Sequence, residues 1–451
     1  MIYQRFIKYL SISTFLVVLL SSSSIALAKK PTPPPPEPDP EPLPVGTTEL
    51  VSKSSDGTFG NGQSNNQAMS ADGRFVVIAS SASNLVPGDT NATGDIFVHD
   101  RLTSTTERVS VADDGTQADN SSYGASISDD GRYVAFYSRA NNLVTGVQDF
   151  FPHIYVHDRV NGTTERVSIA TDGSLANSSS YDPVVSADGR YVVFSSFANN
   201  LVVGDTNGAQ DIFVHDRLNG ITKRLSVASD GSQANNRSAG PSISADGQYV
   251  AFLSNASNLV EADTNGVMDI FVHNQLTGLT ERVSVSSNGT EGNGSSGGPE
   301  ISDNGLVITF SSTASNLVSG DTNAYYDVFI HDRVSRITER VSVESDGSQL
   351  HDDSFSGSIS ADGRYTTFIS YANSLDTSTV NWWYSDIFVY DRVTQTTELI
   401  SLSSDGVQAN EESNAPTISG DGRFVGFHSY AVELVPGGTS IQDVYVRDRN
   451  P

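Results

Sequence analysis

The sequence contains no cysteine, which excludes disulfide bonds, a thiolate nucleophile and any metal site built on cysteine. Basic residues are scarce as well, because 26 Lys and Arg stand against 53 Asp and Glu and give a formal net charge of −27. Such a charge excludes DNA and RNA as partners, since their phosphates are bound mainly by Lys and Arg. The 37% of hydrophobic residues suffices for a globular core but is too little for a polytopic membrane protein.

The N-terminus predicts an export signal. Arg5 and Lys8 precede an apolar stretch at 9–20, and the ALA sequence at 26–28 is a small-x-small cleavage site. An uncleaved membrane anchor is the alternative, but the stretch is shorter than the ~20 residues of a spanning helix. We therefore predict a signal peptide at 1–28 and a secreted or periplasmic protein. Its mature part has no membrane span and, after loss of two basic residues, a net charge of −29.

Residues 29–45 predict a stalk, because nine of the 17 prolines lie between residues 31 and 44. Such a segment favours extended polyproline II, at about 3.1 Å per residue, and has little to bury. A docking ligand for a proline-binding domain is the alternative interpretation.

From residue 46 to residue 451 the chain repeats a unit of about 58 residues seven times. An SADG-like hairpin signal places its glycine at regular steps, at Gly73, Gly131, Gly189, Gly247, Gly305, Gly363 and Gly422. An IFVHDR-like segment has its acidic or amide position at Asp100, Asp158, Asp216, Asn274, Asp332, Asp391 and Asp448. A TTERVSV-like segment runs in register, with Glu49, Glu107, Glu165, Lys223, Glu281, Glu339 and Glu398. A constant period of this kind indicates one repeat architecture rather than several domains.

Each unit predicts four strands and no helix. In the third unit these are 183–186, 190–196, 211–216 and 221–227; the middle two are apolar on both faces and the last alternates. Seven such units predict an all-β fold, a seven-bladed β-propeller of four-stranded antiparallel blades. The first TTE-like strand (47–52) precedes the first unit, and the chain ends where the next such strand would begin. We therefore predict that the N-terminal strand completes the last blade and closes the ring.

Units such as SISADGQYVAFLSNASNLVEADTNGVMDIFVHNQLTGLTERVSV resemble the TolB-type branch of WD-repeat-like propellers. Hallmarks of that family are a PDGK-like hairpin, an IAF strand and a DIYV-like strand. The resemblance covers about residues 46–449 and implies the propeller fold, which hosts binding scaffolds, peptidase-gating domains and polysaccharide lyases. TolB carries an α/β domain ahead of its propeller, whereas here the proline stalk leads directly into the first strand.

Residues that recur from unit to unit are interpreted as structural. They include the SADG carboxylates, the Asp-Arg pairs of the HDR segments and His99, His157, His215, His273 and His331, which lie one blade apart. The sequence contains no HExxH, GxSxG or phosphate-binding glycine pattern.

Four loops between second and third strands carry oxygen ligands at calcium-like spacing. They are Asp89, Asn91 and Asp95; Asp205, Asn207 and Asp211; Asp263, Asn265 and Asp269; and Asp321, Asn323 and Asp327. The set lacks an acid at the fifth position and a distal Glu, and hydrogen bonding in Asx turns accounts for the same residues. We retain calcium as one hypothesis and the turn as the other, with no cofactor required.

A unique site is sought where the repeat is broken. The second unit has Phe150 and Phe151 in place of the DTN loop, and the sixth has Trp382, Trp383 and Tyr384. The loop leading into the sixth unit carries His351, Asp352 and Asp353. Propeller topology puts these loops on one face, where we expect the aromatics and the His-Asp-Asp run to lie within reach of each other. The structural alternative is that Trp382 and Trp383 only cover the edge of a blade.

We predict a monomeric, non-catalytic binding scaffold that uses this face for a protein or glycan partner, because exposed aromatic rings suit sugars and side chains alike. A polysaccharide-active enzyme using His351 and Asp352 as an acid/base pair, or a structural envelope component, are the alternatives.

Overall fold

The computed structural model describes residues 46–146, 149–344, 346–372, 375 and 384–450. These residues form 28 strands in seven four-stranded antiparallel sheets. The inner strand of each sheet contacts that of the next, and the last contacts the first, so the sheets are blades of a ring. The predicted all-β, seven-bladed propeller is confirmed. The predicted signal peptide and stalk lie outside the described residues.

The strands follow the chain in blade order. Blade 1 is β2 (Ser64–Met69), β3 (Phe75–Ser80), β4 (Asp95–Asp100) and β5 (Thr105–Arg108). Blade 2 is β6 (Ser122–Ile127), β7 (Tyr133–Ser138), β8 (His153–Asp158) and β9 (Thr163–Arg166). Blade 3 is β10 (Ser180–Val185), β11 (Tyr191–Ser196), β12 (Asp211–Asp216) and β13 (Ile221–Arg224). Blade 4 is β14 (Ser238–Ile243), β15 (Tyr249–Ser254), β16 (Asp269–Asn274) and β17 (Thr280–Arg282).

The remaining three blades keep the same order. Blade 5 is β18 (Ser296–Ile301), β19 (Val307–Ser312), β20 (Asp327–Asp332) and β21 (Ile337–Arg340). Blade 6 is β22 (Ser354–Ile359), β23 (Tyr365–Ser370), β24 (Asp386–Asp391) and β25 (Thr396–Leu399). Blade 7 is β26 (Ser413–Ile418), β27 (Phe424–Ser429), β28 (Asp443–Asp448) and β1 (Thr48–Leu50). None of the helical segments among the described residues has the length and apolar character to cross a membrane.

The N-terminal strand closes the ring as predicted. Strand β1 pairs antiparallel with β28 and forms the outer strand of blade 7. The Val51 amide donates to the Val444 carbonyl at 2.9 Å, and the buried Ser52 hydroxyl donates to the Asp443 carboxylate at 2.7 Å. The two ends of the chain therefore hold one blade together.

The observed strand bounds agree best with the predicted ones where a strand is hydrophobic throughout. Strand β12 has the predicted bounds and is buried over five of its six residues, whereas the inner strand β10 starts three residues before its predicted start. A bulge between Tyr181 and Val184 explains the difference. Asp182 has φ 54° there, which breaks the alternation on which the sequence pattern depends. The inner strands of all seven blades carry a register shift at this position.

The SADG hairpins also form the contact between adjacent blades at the ring centre. Gly131 has φ 72°, and a Cβ there would lie 2.1 Å from the Phe75 ring of the preceding blade, so no larger residue fits. Each hairpin is also hydrogen-bonded to an adjacent one. The donor is the main-chain amide of the residue two positions before the glycine, and the acceptor is the carbonyl oxygen of the equivalent residue in the adjacent blade, at 2.8–3.2 Å. The seven bonds form a closed circle around the central channel, through Ala71, Asp129, Ala187, Ala245, Asp303, Ala361 and Gly420.

Arginines connect the blades farther from the axis. Asp158 is bound by Arg132 of its own blade at 2.7 Å, and the adjacent Arg159 bonds Glu107 of the preceding blade at 2.6 Å. Arg159 also donates to the Gly131 carbonyl and lies 4.3 Å from the centre of the Phe75 ring. We call this arrangement of arginine, glutamate and ring the junction. Its hydrogen bonds and stacking confirm the structural interpretation of the HDR segments.

Candidate functional site

The propeller has two chemically different faces. The hairpin face carries the turns between first and second strands and between third and fourth strands of each blade. The loop face carries the second-to-third-strand loops and the connections from one blade to the next. Those predicted ligand residues that the structure describes belong to the loop face.

Strongly exposed aromatic side chains occur at only one of the two faces in the described part of the chain. Among the described residues, five aromatic side chains are more than a third exposed, and all lie at the loop face: Tyr123, Phe150, Phe151, Phe197 and Tyr325. Exposed aliphatic side chains occur at both faces: Val203 in the blade 3 loop is fully exposed, and the turns of the hairpin face carry Val160, Leu218, Leu276, Val334 and Val393, between 71% and 80% exposed. The loop face is therefore the surface that offers flat apolar rings.

The blade 2 loop presents Phe150, which is 95% exposed, beside Phe151. Asp149 holds this loop, because its carboxylate accepts the Phe151 amide at 3.0 Å and bonds Nε2 of His153 at 3.0 Å. Burial lowers the pKa of His153 below its usual value, against the opposing effect of Asp149. The Asp-His pair replaces the Asn-Asp pair of sibling loops. The sequence marks the stretch from Asp149 to His153 as a departure from the repeat, but the pairing of these two residues was not predicted.

Three tyrosines continue the aromatic surface from blade 2 to blade 3. The Tyr123 and Tyr137 rings lie 5.8 Å apart, and Tyr137 meets Tyr181 edge-on at 5.5 Å. No other blade has a tyrosine at the corresponding positions, although blade 6 has the aromatic Phe355 at one of them, so the three-tyrosine cluster is specific to blades 2 and 3. It could have been found by comparing the inner strands position by position.

Trp382 and Trp383 lie outside the described residues, whereas Tyr384 is described and half-buried. The charge of Glu411 and a hydrogen bond to it raise the pKa of Tyr384. Tyr384 therefore faces the acidic connection that leads into blade 7.

The His-Asp-Asp run lies at the start of blade 6. His351 is exposed, and Asp352 accepts the amide of Asp353 at 2.8 Å. Asp353 in turn accepts the amide of Tyr326 in the adjacent blade 5 at 2.8 Å, beside the Tyr326–Phe355 ring pair at 5.2 Å. Since Phe150 belongs to blade 2, the predicted residues form two groups, three blades apart around the ring.

In the four predicted calcium loops an arginine faces the carboxylates. Arg108 of the outer strand lies 3.2 Å from Asp89 and 3.5 Å from Asp95. Arg224, Arg282 and Arg340 approach their own acid pairs at 3.2–3.8 Å. Burial raises the pKa of Asp95, and the arginine charge opposes that rise.

The asparagine of each loop serves as a turn residue. Asn91 donates its amide NH₂ to Asp95 at 2.7 Å, and its oxygen accepts the Thr93 amide at 3.1 Å. This is the Asx-turn geometry, and the side chain directs hydrogens rather than an oxygen towards the carboxylate. No group of three or more His, Asp or Glu in the described part of the chain is arranged to hold a metal ion.

The chain matches no family model and no curated protein. Solved structures share its fold at low identity. TolB from Acinetobacter baumannii is 19% identical, with a TM-score of 0.37 over 61% of this chain, which spans only 53% of that protein. An oligogalacturonate lyase from Vibrio parahaemolyticus is 12% identical, with a TM-score of 0.50 over 90% of both chains. The propeller domain of the Trilobed protease from Pyrococcus furiosus, described as having an open velcro topology, is 10% identical, with a TM-score of 0.52 over 86% of this chain and 95% of that one.

Proposed function

We propose that the chain is an exported, non-catalytic β-propeller that binds a glycan or protein partner through the aromatic rings of its loop face. The observation that carries this proposal is the separation of exposed aromatics, since all five that are more than a third exposed in the described residues lie on that face. Aromatic rings supply large, rigid contact areas at low conformational cost. The propeller frame holds them on loops whose ends are fixed by strands.

The blade 2 loop is the part of this face that is best prepared for binding. Asp149 fixes the backbone beside Phe151 and the ring of His153, so the loop keeps its shape while the Phe150 ring remains exposed. A ring held in this way loses little freedom when a ligand stacks on it. We assign this loop and the tyrosine cluster of blades 2 and 3 as the main contact surface.

The non-catalytic part of the proposal rests on the histidine and acid at the start of blade 6. His351 is exposed, and no hydrogen bond joins its ring to Asp352 within the described residues. Asp352 instead accepts the neighbouring amide, as turn residues do. Incubating the protein with oligogalacturonate, the substrate named for the similar lyase, should yield no unsaturated product; a sustained yield would overturn this part.

The binding part is tested on a glycan array with three proteins: wild type, F150S/F151S and V160S/V393S. The last variant is the matched control, because it removes two exposed apolar side chains from the hairpin face, where Val160 and Val393 are 72% and 71% exposed. We expect wild type and the control to bind the same glycans, and F150S/F151S to bind them at least tenfold more weakly.

Equal melting temperatures of the three proteins would show that the frame is intact. Binding that survives F150S/F151S but is lost in V160S/V393S would place the ligand on the wrong face and refute the proposal. If no glycan binds wild type, the same variants are used in a pull-down from envelope extract, where specific loss in F150S/F151S is required.

A further inference from the structure

One junction between blades departs from the other six. In six junctions an arginine bonds the glutamate of the preceding blade at 2.5–2.8 Å; the arginines are Arg101, Arg159, Arg217, Arg333, Arg392 and Arg449. Between blades 3 and 4 the arginine is replaced by Gln275 and the glutamate by Lys223. Gln275 retains only the hydrogen bond to the Gly247 carbonyl. Both members of one pair have thus changed together.

The change removes a cation from an aromatic ring. Five of the six arginines lie 4.3–4.7 Å from the centre of a ring of the preceding blade. Tyr191 occupies the equivalent position in blade 3, and the one cation over its ring among the described residues is Arg190 of its own blade, at 4.6 Å. The next blade contributes Gln275 here, which is uncharged and shorter.

A cavity of about 430 Å³ lies at this junction on the hairpin face. Its lining includes Tyr191, Lys223, Gln248 and Gln275, so it combines a ring, an ammonium group and two amides. The volume falls within the range of about 300–1,000 Å³ that is typical of small-molecule sites.

Lys223 is exceptional in this chain. Lysine occurs only twice after residue 45, at Lys53 and Lys223. Lys53 lies 3.9 Å from Glu49, whereas Lys223 has no carboxylate within ion-pair distance in the described part of the chain. Of the other charged residues that line the cavity, Arg190 binds Asp216 at 2.7 Å, and the exposed Asp246 accepts the Ser244 hydroxyl at 2.7 Å and the main-chain amide of Gln248 at 2.8 Å. Lys223 is therefore a positive charge that is available to a ligand.

We infer that this junction is a second binding site, for a sugar residue that carries a carboxylate. The ammonium of Lys223 binds the carboxylate, the amides of Gln248 and Gln275 bond hydroxyl groups, and the ring of Tyr191 borders the apolar side of the sugar. A guanidinium from a partner would be repelled by Lys223. The site lies on the face opposite to the aromatic loops, so the inference does not depend on the proposed function.

The next junction provides a natural control. A cavity of about 470 Å³ lies between blades 4 and 5, with Tyr249 in its lining. There Glu281 stands in place of Lys223, and Arg333 covers the Tyr249 ring at 4.3 Å. The two cavities have similar size, but one has a lysine where the other has a glutamate. Comparing them therefore separates the effect of cavity shape on binding from the effect of charge.

The test is ligand-observed saturation-transfer NMR with glucuronate and galacturonate, and with glucose and galactose as uncharged probes. We compare wild type, K223Q, and K223E/Q275R, which restores the residues of the six other junctions. Wild type should bind the acids and bind the neutral sugars at least tenfold more weakly. K223Q should lose about tenfold in affinity for the acids, and K223E/Q275R should abolish their binding.

A matched variant separates this site from the loop face. F150S/F151S should bind the acids as wild type does; if it loses them while K223E/Q275R retains them, the ligand lies on the loop face and the inference is wrong. Failure of wild type to prefer the acids also overturns it. K223E/Q275R should melt no lower than wild type, because its pair reproduces one found in six junctions, so loss of binding cannot be assigned to unfolding.

Discussion

Substitution of His273 by glutamine should make the propeller less sensitive to acid. In wild type, Nδ1 of His273 lies 2.9 Å from the Thr280 hydroxyl, which donates to the Val227 carbonyl of the preceding blade at 2.6 Å. Because that hydroxyl proton is committed, the ring donates from Nδ1 and is held as one neutral tautomer. A glutamine amide can make the same donation.

The magnitude follows from the burial of the ring. Burial lowers the pKa of His273 from 6.5 to about 4. Since the folded state resists protonation, the stability it confers is complete above pH 6.5 and is lost as the pH falls towards 4. At pH 5 the unfolded histidine is protonated about 30 to 1 while the folded one stays neutral, which favours unfolding by about 2 kcal/mol relative to pH 7.

Urea denaturation at pH 7 and pH 5 measures the effect. Other groups titrate in the same window, notably Glu300, for which burial raises the pKa to about 7 and acts in the opposite direction. The change in unfolding free energy between pH 7 and pH 5 is therefore compared between wild type and H273Q, because the contributions of the other groups cancel in that difference. We expect the loss of unfolding free energy between pH 7 and pH 5 to be about 2 kcal/mol smaller in H273Q. Equal losses in the two proteins would refute the argument.

Two further predictions concern the frame. R108L should lower the unfolding free energy by about 3–5 kcal/mol, because it leaves the carboxylates of Asp89 and Asp95 buried without their cation. Millimolar calcium should raise the melting temperature of R108L and leave that of wild type unchanged; a rise in wild type would support the calcium hypothesis instead. L50A should cost about 2–5 kcal/mol, because Leu50 is 3% exposed in the strand that closes the ring. The exposed substitution L218S is its control, and equal stability of the two would contradict closure by β1.

The fold could be predicted from the sequence because each unit repeats its own evidence. A single hairpin glycine or a single buried strand such as β12 says little about the fold. Seven copies at one period are compatible with only a few repeat architectures. Closure of the ring by β1 could be predicted because a TTE-like strand precedes the first unit and the last unit lacks one. The inner strands were predicted less well, because the bulge at Asp182 places two residues against one and hides the alternation.

Side-chain partners were harder to predict than strands. Arg159 follows Asp158 directly but bonds Glu107, 52 residues earlier, because Asp158 ends strand β8 whereas Arg159 lies in the turn that follows, from which its side chain reaches the preceding blade. The arginine that faces each acidic loop was likewise visible only as one letter of the TTER segment. Lys223 stands out in the landmark series as the only departure at its position, yet its meaning required the cavity that it borders.

The net charge sets a limit on the ligand of the blade 3–4 junction. The formal net charge of −27 repels polyanions over distances up to the Debye length, about 8–10 Å in physiological salt. Direct contact with Lys223 acts within hydrogen-bond distance, where screening by salt is weak. One carboxylate can therefore be bound at the junction, whereas each further carboxylate outside the cavity meets the field of the acidic surface without a second lysine to offset it. The same acidic composition thus favours a ligand with one acidic residue, such as the end of a glycan, over a long acidic polymer.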